Sequence, residues 1–288
     1  RRDAIQQQEA LQAERNALSK EIGKMMGACQ KDEAEAAKER VRAINDELAG
    51  VSARREAVDA ELRDLLMSVP NMPDAATPVG ADENDNPEVR RWGTPRDFAA
   101  EGFEPKAHWD LGPELNIIDF DRGVKLAESR FYVLGGLGAR LERALISFML
   151  DQHVARGYKE WWVPALANAA TLTGTAQLPK FEDDLFKTTG GLYLIPTAEV
   201  QLTNLHAGEV LDATQLPLKY CAFTPCFREE AGSAGRDTRG IIRVHQFSKV
   251  EMVKYAKPEE AFDDLEAMVE DAENILQKLE LPYRVISL

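Results

Sequence analysis

The stretch KYCAFTPCFREEAGSAGRDTRGIIRVHQFSKVEMVK, Lys219 to Lys254, decides the fold of this chain. Both of its ends alternate in the manner of strands, whose successive side chains face opposite ways. From Ile242 to Val253 the even positions, Ile242, Val244, Gln246, Ser248, Val250 and Met252, are largely apolar or small and suit a core. The odd positions, Arg243, His245, Phe247, Lys249, Glu251 and Val253, gather charge around one aromatic ring. On the first strand Ala222, Thr224, Cys226, Arg228 and Glu230 share a face, and Cys221, Phe223 and Phe227 point the other way. Pairing the strands brings Arg228, Glu230, Phe247 and Glu251 onto one surface. Such a set fits an anionic group at the arginine, an amine or hydroxyl at the glutamates and a flat heterocycle at the phenylalanine. The connection, Ala231 to Gly240, is too long for a two-residue turn and carries Arg236 and Arg239. Positively charged loops of this kind often close over phosphates or nucleic acid. An exposed hairpin with solvated charges meets the same pattern.

Working outward, 288 residues with 44% hydrophobic content fit one large core or two domains of a globular protein. No apolar run reaches the ~18 residues of a membrane span, and the N-terminus RRDAIQQQEALQAERN has no apolar signal segment. Cys29, Cys221 and Cys226 make neither a disulfide framework nor a zinc set, so a cytoplasmic protein without a metal site is expected. His108, His153, His206 and His245 are scattered; His245 reads as site-adjacent and the others as ordinary. The net charge of −14 argues against nucleic-acid binding as a whole-chain property. Its distribution softens the point: residues 1–69 hold 12 Lys/Arg and 14 Asp/Glu, a net of −2, and the rest 23 and 35, a net of −12.

Residues 1–70 are helical by pattern. Leu11, Leu18, Ile22 and Met25, then Val41, Ile44, Leu48, Val51, Val58, Leu62, Leu65 and Val69, follow heptad spacing with Arg55 in the one gap. Polar residues at Gln30–Glu33 allow a turn, so the spacing predicts an antiparallel helical hairpin about 40 Å long, from ~27 residues at ~1.5 Å each. Heptads alone fit a structural or partner-binding coil equally well. Pro70 and Pro73 stop the helix, and residues 71–104 read as a polar linker. In the body, 105–288, Ser129–Leu137 reads as a strand and glycine turn, Ala139–Arg156 as an amphipathic helix, and Tyr158–Pro164 as a strand. Leu192–Val200 reads as a strand running into Pro196, Glu259–Leu279 as a helix, and LPYRVISL as the start of another strand. Thr197-Ala198-Glu199 in isolation reads as a helix N-terminus.

FRxE at Phe227–Glu230 followed by AGSAGRDTRGxIRxHQFxKVE closely resembles motif 2 of the class II aminoacyl-tRNA synthetases, and within that class the seryl-tRNA synthetases. NALSKEIG at Asn16–Gly23, VPNMP at Val69–Pro73, EPKAHWDLG, GYxxxxVP ending at Pro164, and TGTAQLPKFEDDLFK at Thr173–Lys187 resemble the same family. The resemblance implies an α+β fold: an N-terminal antiparallel coiled-coil hairpin, then a class II antiparallel β-sheet flanked by helices. It implies ATP-dependent ligation of L-serine to tRNA(Ser) through seryl-adenylate, with ATP as substrate and Mg2+ assisting its phosphates. Arg228 becomes the catalytic arginine at the α-phosphate and the serine carboxylate. Arg228, Glu229, Glu230, Val244 and Phe247 fall in the ATP site, Glu229 at a variable position. Thr197, Ala198, Glu199, Arg228 and Glu251 fall in the serine site, where hydrogen bonds to a hydroxyl discriminate against alanine. The arm would grip the tRNA variable arm through candidates such as Arg40, Arg42, Arg54 and Arg55, with tRNA(Sec) as a further candidate. Motif 1, around Pro164, implies a homodimer. A non-catalytic relative that binds tRNA or a protein partner stays open, because motif 3 is missing and the chain reads as partial.

Overall fold

A computed structural model describes residues 1–232 and 238–288; Gly235 and Arg236, read above as part of the charged connection, fall outside the described residues. The chain forms two compact units, Arg1–Met72 and Pro73–Leu288. The first is a helical hairpin of α1 (Arg2–Gly27) and α2 (Lys31–Ser68). Its antiparallel register is fixed by cross-helix bonds. Arg1 pairs with Asp59 at 2.7 Å, Gln8 with Arg55 at 2.9 Å, and Glu14 with Arg40 at 2.9 Å. The gap in the heptads is therefore a polar seam contact. Ala4, Ala34, Ile44 and Leu48 form the buried seam, while Leu65 and Val69, expected to belong to it, lie past the last residue opposite α1 and are exposed. The 26 residues of α1 make a paired length of about 39 Å.

The second unit contains the candidate site. Its elements are β1 (Glu88–Trp92), α3 (His108–Glu114), β2 (Ile118–Asp119), α4 (Phe120–Ala127), β3 (Val133–Leu134), α5 (Gly136–Ala155), β4 (Lys159–Glu160), β5 (Leu166–Ala167), α6 (Ala169–Gly174), β6 (Tyr193–Leu194), α7 (Glu199–Asn204), β7 (Leu218–Phe227), β8 (Gln246–Tyr255), α8 (Ala261–Lys278) and β9 (Tyr283–Ile286). The central sheet has the order β4-β7-β8, with β4 parallel to β7 and β7 antiparallel to β8. Across β7 and β8, Ala222 faces Glu251, Thr224 faces Lys249 and Cys226 faces Phe247, so the predicted charged row and small-residue row share one face.

Several elements differ from expectation. The stretch read as a linker contains β1, which pairs antiparallel with β9 and is tied to α8 by Arg90, 2.7 Å from Glu273. β8 starts at Gln246 rather than Ile242. The run Tyr158–Pro164 forms a ladder only at Lys159 and Glu160, opposite Tyr220 and Cys221, after which a single bond from the Trp161 N–H to the Cys221 carbonyl ends it. Leu192–Val200 is a strand only at Tyr193–Leu194; its last two residues, Glu199 and Val200, already belong to α7. The even face of the second strand is not a closed core. Ile242 is 56% exposed and Gln246 and Ser248 are open to solvent; Ser248 lies on a groove beside α5 lined also by Leu134, Leu141, Leu145, Met149 and Val250.

The buried core lies in two clusters. One joins Ala167, Leu172, Leu178, Leu185, Tyr193, Ile195 and Val200, and the other Val163, Ala198, Leu202, Tyr220 and Ala222. Thr197 sits between them in sequence, so packing on both sides fixes the backbone that carries it.

Candidate active site

The Phe227 N–H donates to the Ile195 carbonyl at 2.9 Å, which lays the segment after β6 along the end of β7. Thr197 follows, buried. Its hydroxyl donates to Glu251 Oε2 and accepts from Lys249 Nζ at 3.1 Å and from the Glu199 N–H at 3.2 Å. A hydroxyl has one proton and two lone pairs, and all three are used. Thr197 is thus a node that holds Glu251. Lys249 Nζ also lies 2.6 Å from Glu251 Oε2. Ala198 is fully buried beside Leu202 and Ala222 and contributes packing and backbone. Glu199 opens α7 and lines the cleft.

The ladder of β7 and β8 runs one pair further than the strands. The Arg228 N–H donates to the His245 carbonyl at 3.0 Å, and His245 Nδ1 lies 3.0 Å from the Arg228 carbonyl. This fixes Arg228, whose guanidinium carbon lies 5.1 Å from the centroid of the Phe247 ring, a cation–π arrangement. Glu230 reaches the cleft by leaving the extended backbone, with φ +53°. Its carboxylate takes a hydrogen bond from Arg243 at 2.9 Å and its carbonyl one from Arg130 at 3.3 Å. Glu229 lines neither of the clefts described below; its N–H donates to the Asp184 carbonyl at 3.0 Å.

Two clefts meet at Arg228, Glu230 and Arg243. The first, of about 400 Å³, is lined by Thr197, Glu199, Lys249, Gln177 and Phe181 besides those three. The second, of about 320 Å³, adds Ile241, Ile242, Val244 and Phe247. The first is a set of charged and hydrogen-bonding groups of amino-acid size; the second is an apolar slot with one ring and two guanidinium groups at its edge. Beneath them Cys226 is fully buried, and burial pushes its thiol up. Cys221, on the other face, is pushed up to about 11 for the same reason. Neither is poised as a thiolate nucleophile.

Sequence alternation already placed Arg243 and Lys249 on the charged face, yet neither was singled out; only Thr197, some fifty residues earlier, gives Lys249 its meaning. Asp184 and Gln177 come from an aperiodic segment that carries no such signal. His108, read as ordinary, accepts a hydrogen bond from the Ile241 N–H at 2.9 Å. On the arm, Arg40 is engaged by Glu14 and Glu47, and Arg55 by Gln8 and Asp59. Arg42 and Arg54 have no ion-pair partner among the described residues.

The antiparallel β7–β8 pair with its arginine and phenylalanine, and a match of residues 180–288 to the model of the tRNA synthetase class II core domain (G, H, P, S and T), define a class II aminoacyl-tRNA synthetase core. Residues 1–73 match the model of the seryl-tRNA synthetase N-terminal domain. A serine–tRNA ligase of Pelobacter propionicus is 51% identical over 288 residues, covering 99% of this chain and 66% of that protein. The crystal structure of seryl-tRNA synthetase from Pyrococcus horikoshii complexed with ATP aligns with a TM-score of 0.90 at 37% identity, over 99% of this chain and 67% of that one. A cytoplasmic serine–tRNA ligase of Naegleria fowleri in complex with AMP aligns with a TM-score of 0.85 at 26% identity, over 99% and 68%. The chain belongs to the seryl-tRNA synthetase family. It spans just under two thirds of the length of the Pelobacter relative.

Proposed function

We propose that the protein containing this chain joins L-serine to tRNA(Ser) in two steps. A serine carboxylate oxygen attacks the α-phosphorus of ATP and pyrophosphate leaves; the 3′-terminal hydroxyl of the tRNA then attacks the acyl carbon and AMP leaves. The observation that carries this proposal is the meeting of two unlike clefts at Arg228. Serine would lie among Thr197, Glu199, Lys249 and Glu251, with Ala198 packing beneath. The adenine would lie on Phe247 beside Val244, with Glu230 and Arg243 at its edge and Glu229 behind the wall. Arg228 then faces both reactants where negative charge develops, and positioning with electrostatic stabilisation is the main catalytic means.

Mg2+ would accompany ATP and offset the charge of its phosphates; among the described residues no group of three or more His, Cys, Asp or Glu is arranged to hold a metal ion. On the arm, Arg42 and Arg54 are the available candidates for phosphate contact with tRNA(Ser) or tRNA(Sec). The groove beside α5, about 390 Å³ and largely apolar, with Leu141 58% exposed on its wall, supports a homodimer. A cytoplasmic location is part of the proposal; among the described residues no helix is long and apolar enough to cross a membrane.

Amino-acid-dependent ATP–pyrophosphate exchange, run over all twenty amino acids with the complete gene product, tests the proposal. Exchange with serine alone is expected. Arg228→Ala should lower it by about 10²–10³ or more with the melting temperature unchanged. Absence of exchange with every amino acid from folded protein would overturn the proposal in favour of a non-catalytic relative.

A further inference from the structure

We propose that His108 is a positioning residue for the nucleotide cleft. Half-buried at the first residue of α3, it lies 133 positions before the backbone it holds. Its Nε2 accepts the Ile241 N–H at 2.9 Å, which places the ring proton on Nδ1. Ile241 precedes β8 and has no ladder partner there, so the imidazole supplies the acceptor that a strand would otherwise supply. Two neighbouring contacts belong to the same latch. Gly240, with φ +62°, packs so closely that a Cβ there would lie 2.0 Å from His108 Nε2. Arg239 places its guanidinium carbon 4.4 Å from the ring centroid of Trp109. Ile241, Ile242 and Arg243 line the cleft with Phe247, and Arg243 orients Glu230. His108 therefore fixes one wall of the second cleft through a single backbone bond, without touching its contents.

The inference rests on the proposed binding of ATP in that cleft, and its test separates the two. The first readout is amide hydrogen exchange, which needs no ligand. In His108→Ala the Ile241 amide should exchange about fivefold faster or more, the loss of one net hydrogen bond, with amides in the middle of β7 unchanged. Gly240→Ala should give the same signature by displacing the ring, and His108→Gln, which offers an amide oxygen, should restore part of the protection. The second readout is pyrophosphate exchange. Both disruptive variants should raise the KM for ATP about fivefold or more and leave the KM for serine unchanged, a split that general loss of folded protein would not produce. Unchanged Ile241 exchange in His108→Ala and Gly240→Ala overturns the latch. Faster Ile241 exchange with an unchanged KM for ATP overturns the positioning role. A parent protein inactive with serine refutes the proposed function and leaves the amide result to judge the latch.

Discussion

Thr197→Val tests whether the Thr197 hydroxyl works on the substrate or through Glu251. The substitution keeps the shape of a buried side chain and removes one donor and two accepted bonds. Lys249 keeps Glu251 at 2.6 Å, so the carboxylate stays compensated but loses its clamp. A hydrogen bond to a charged group contributes about 1.5–3 kcal/mol. If that clamp orients Glu251 for the substrate ammonium or hydroxyl, its loss raises the serine KM by about 10- to 150-fold, and the KM for ATP stays put. Separately, the Glu199 N–H at the start of α7 loses its acceptor. A lost cap costs about 1 kcal/mol, which lowers the melting temperature of a body of this size by about 2–4 °C. Thr197→Ser retains every bond in the node and should match the parent in serine KM. The assay is pyrophosphate exchange at saturating ATP with serine varied, alongside thermal unfolding. A valine variant that melts lower yet has the parental serine KM would refute the reasoning, because the hydroxyl would then be a helix cap and nothing more.

Two further predictions concern the buried support under β4 and α8. Tyr158 donates to Asp271 at 2.7 Å, and Arg156 reaches the other carboxylate oxygen at 2.7 Å; Tyr158→Phe should cost about 1.5–3 kcal/mol in urea unfolding, and a cost below about 0.5 kcal/mol would show that Arg156 alone suffices. His153 is 3% exposed, touches the Tyr158 ring, and leaves Nδ1 without a hydrogen bond; burial holds its pKa below the usual histidine value, against the attraction of Asp271. The unfolded state then binds more protons, so this contribution to stability is complete above pH ~6.5 and is lost as pH falls from there toward the lower folded-state value. Unfolding free energies measured at pH 7.5, 6.5 and 5.5 should fall less in His153→Gln than in the parent, and equal slopes would exclude His153 as the source.

The register of β7 and β8 was legible because a period of two persists over ten residues in each strand. It failed at Ile242–Val244 and at Glu230. There the backbone is held by His108, Arg130 and Asp184, each at least 40 residues away, and no local pattern encodes such contacts. Alternation likewise tells which residues share a face but not what covers it, so Ile242 was assigned to a core that ends short of it. The arm was legible for the same reason as the strands, a sustained repeat, and misjudged only where the partner helix stops. Tyr158–Pro164 and Leu192–Val200 looked like full strands because proline and apolar content mark where a run stops. How far a ladder extends depends on when the two backbones diverge.

The charges around the clefts bear on the substrate in a way that no single residue does. Residues 70–288 carry a net of −12, a poor background for a nucleotide and a carboxylate. Around the site, however, Arg243 is matched by Glu230 and Lys249 by Glu251. Among the described residues, the charges lining the first cleft without an ion-pair partner are Arg228, which rests on the Phe247 ring, and the carboxylates of Glu199 and Asp184, the latter accepting the Ala231 N–H at 3.0 Å. With Asp184 turned to a backbone N–H, Arg228 and Glu199 are left as a cation and an anion that a zwitterion would complement. A simple amine would leave Arg228 unanswered, and a simple carboxylate would leave Glu199 unanswered, each a desolvation cost once the cleft closes on its contents. The pairing of Lys249 with Glu251 withdraws one cation and one anion from that set. That places the lysine among the groups that would define the proposed amino-acid subsite even without touching the amino acid.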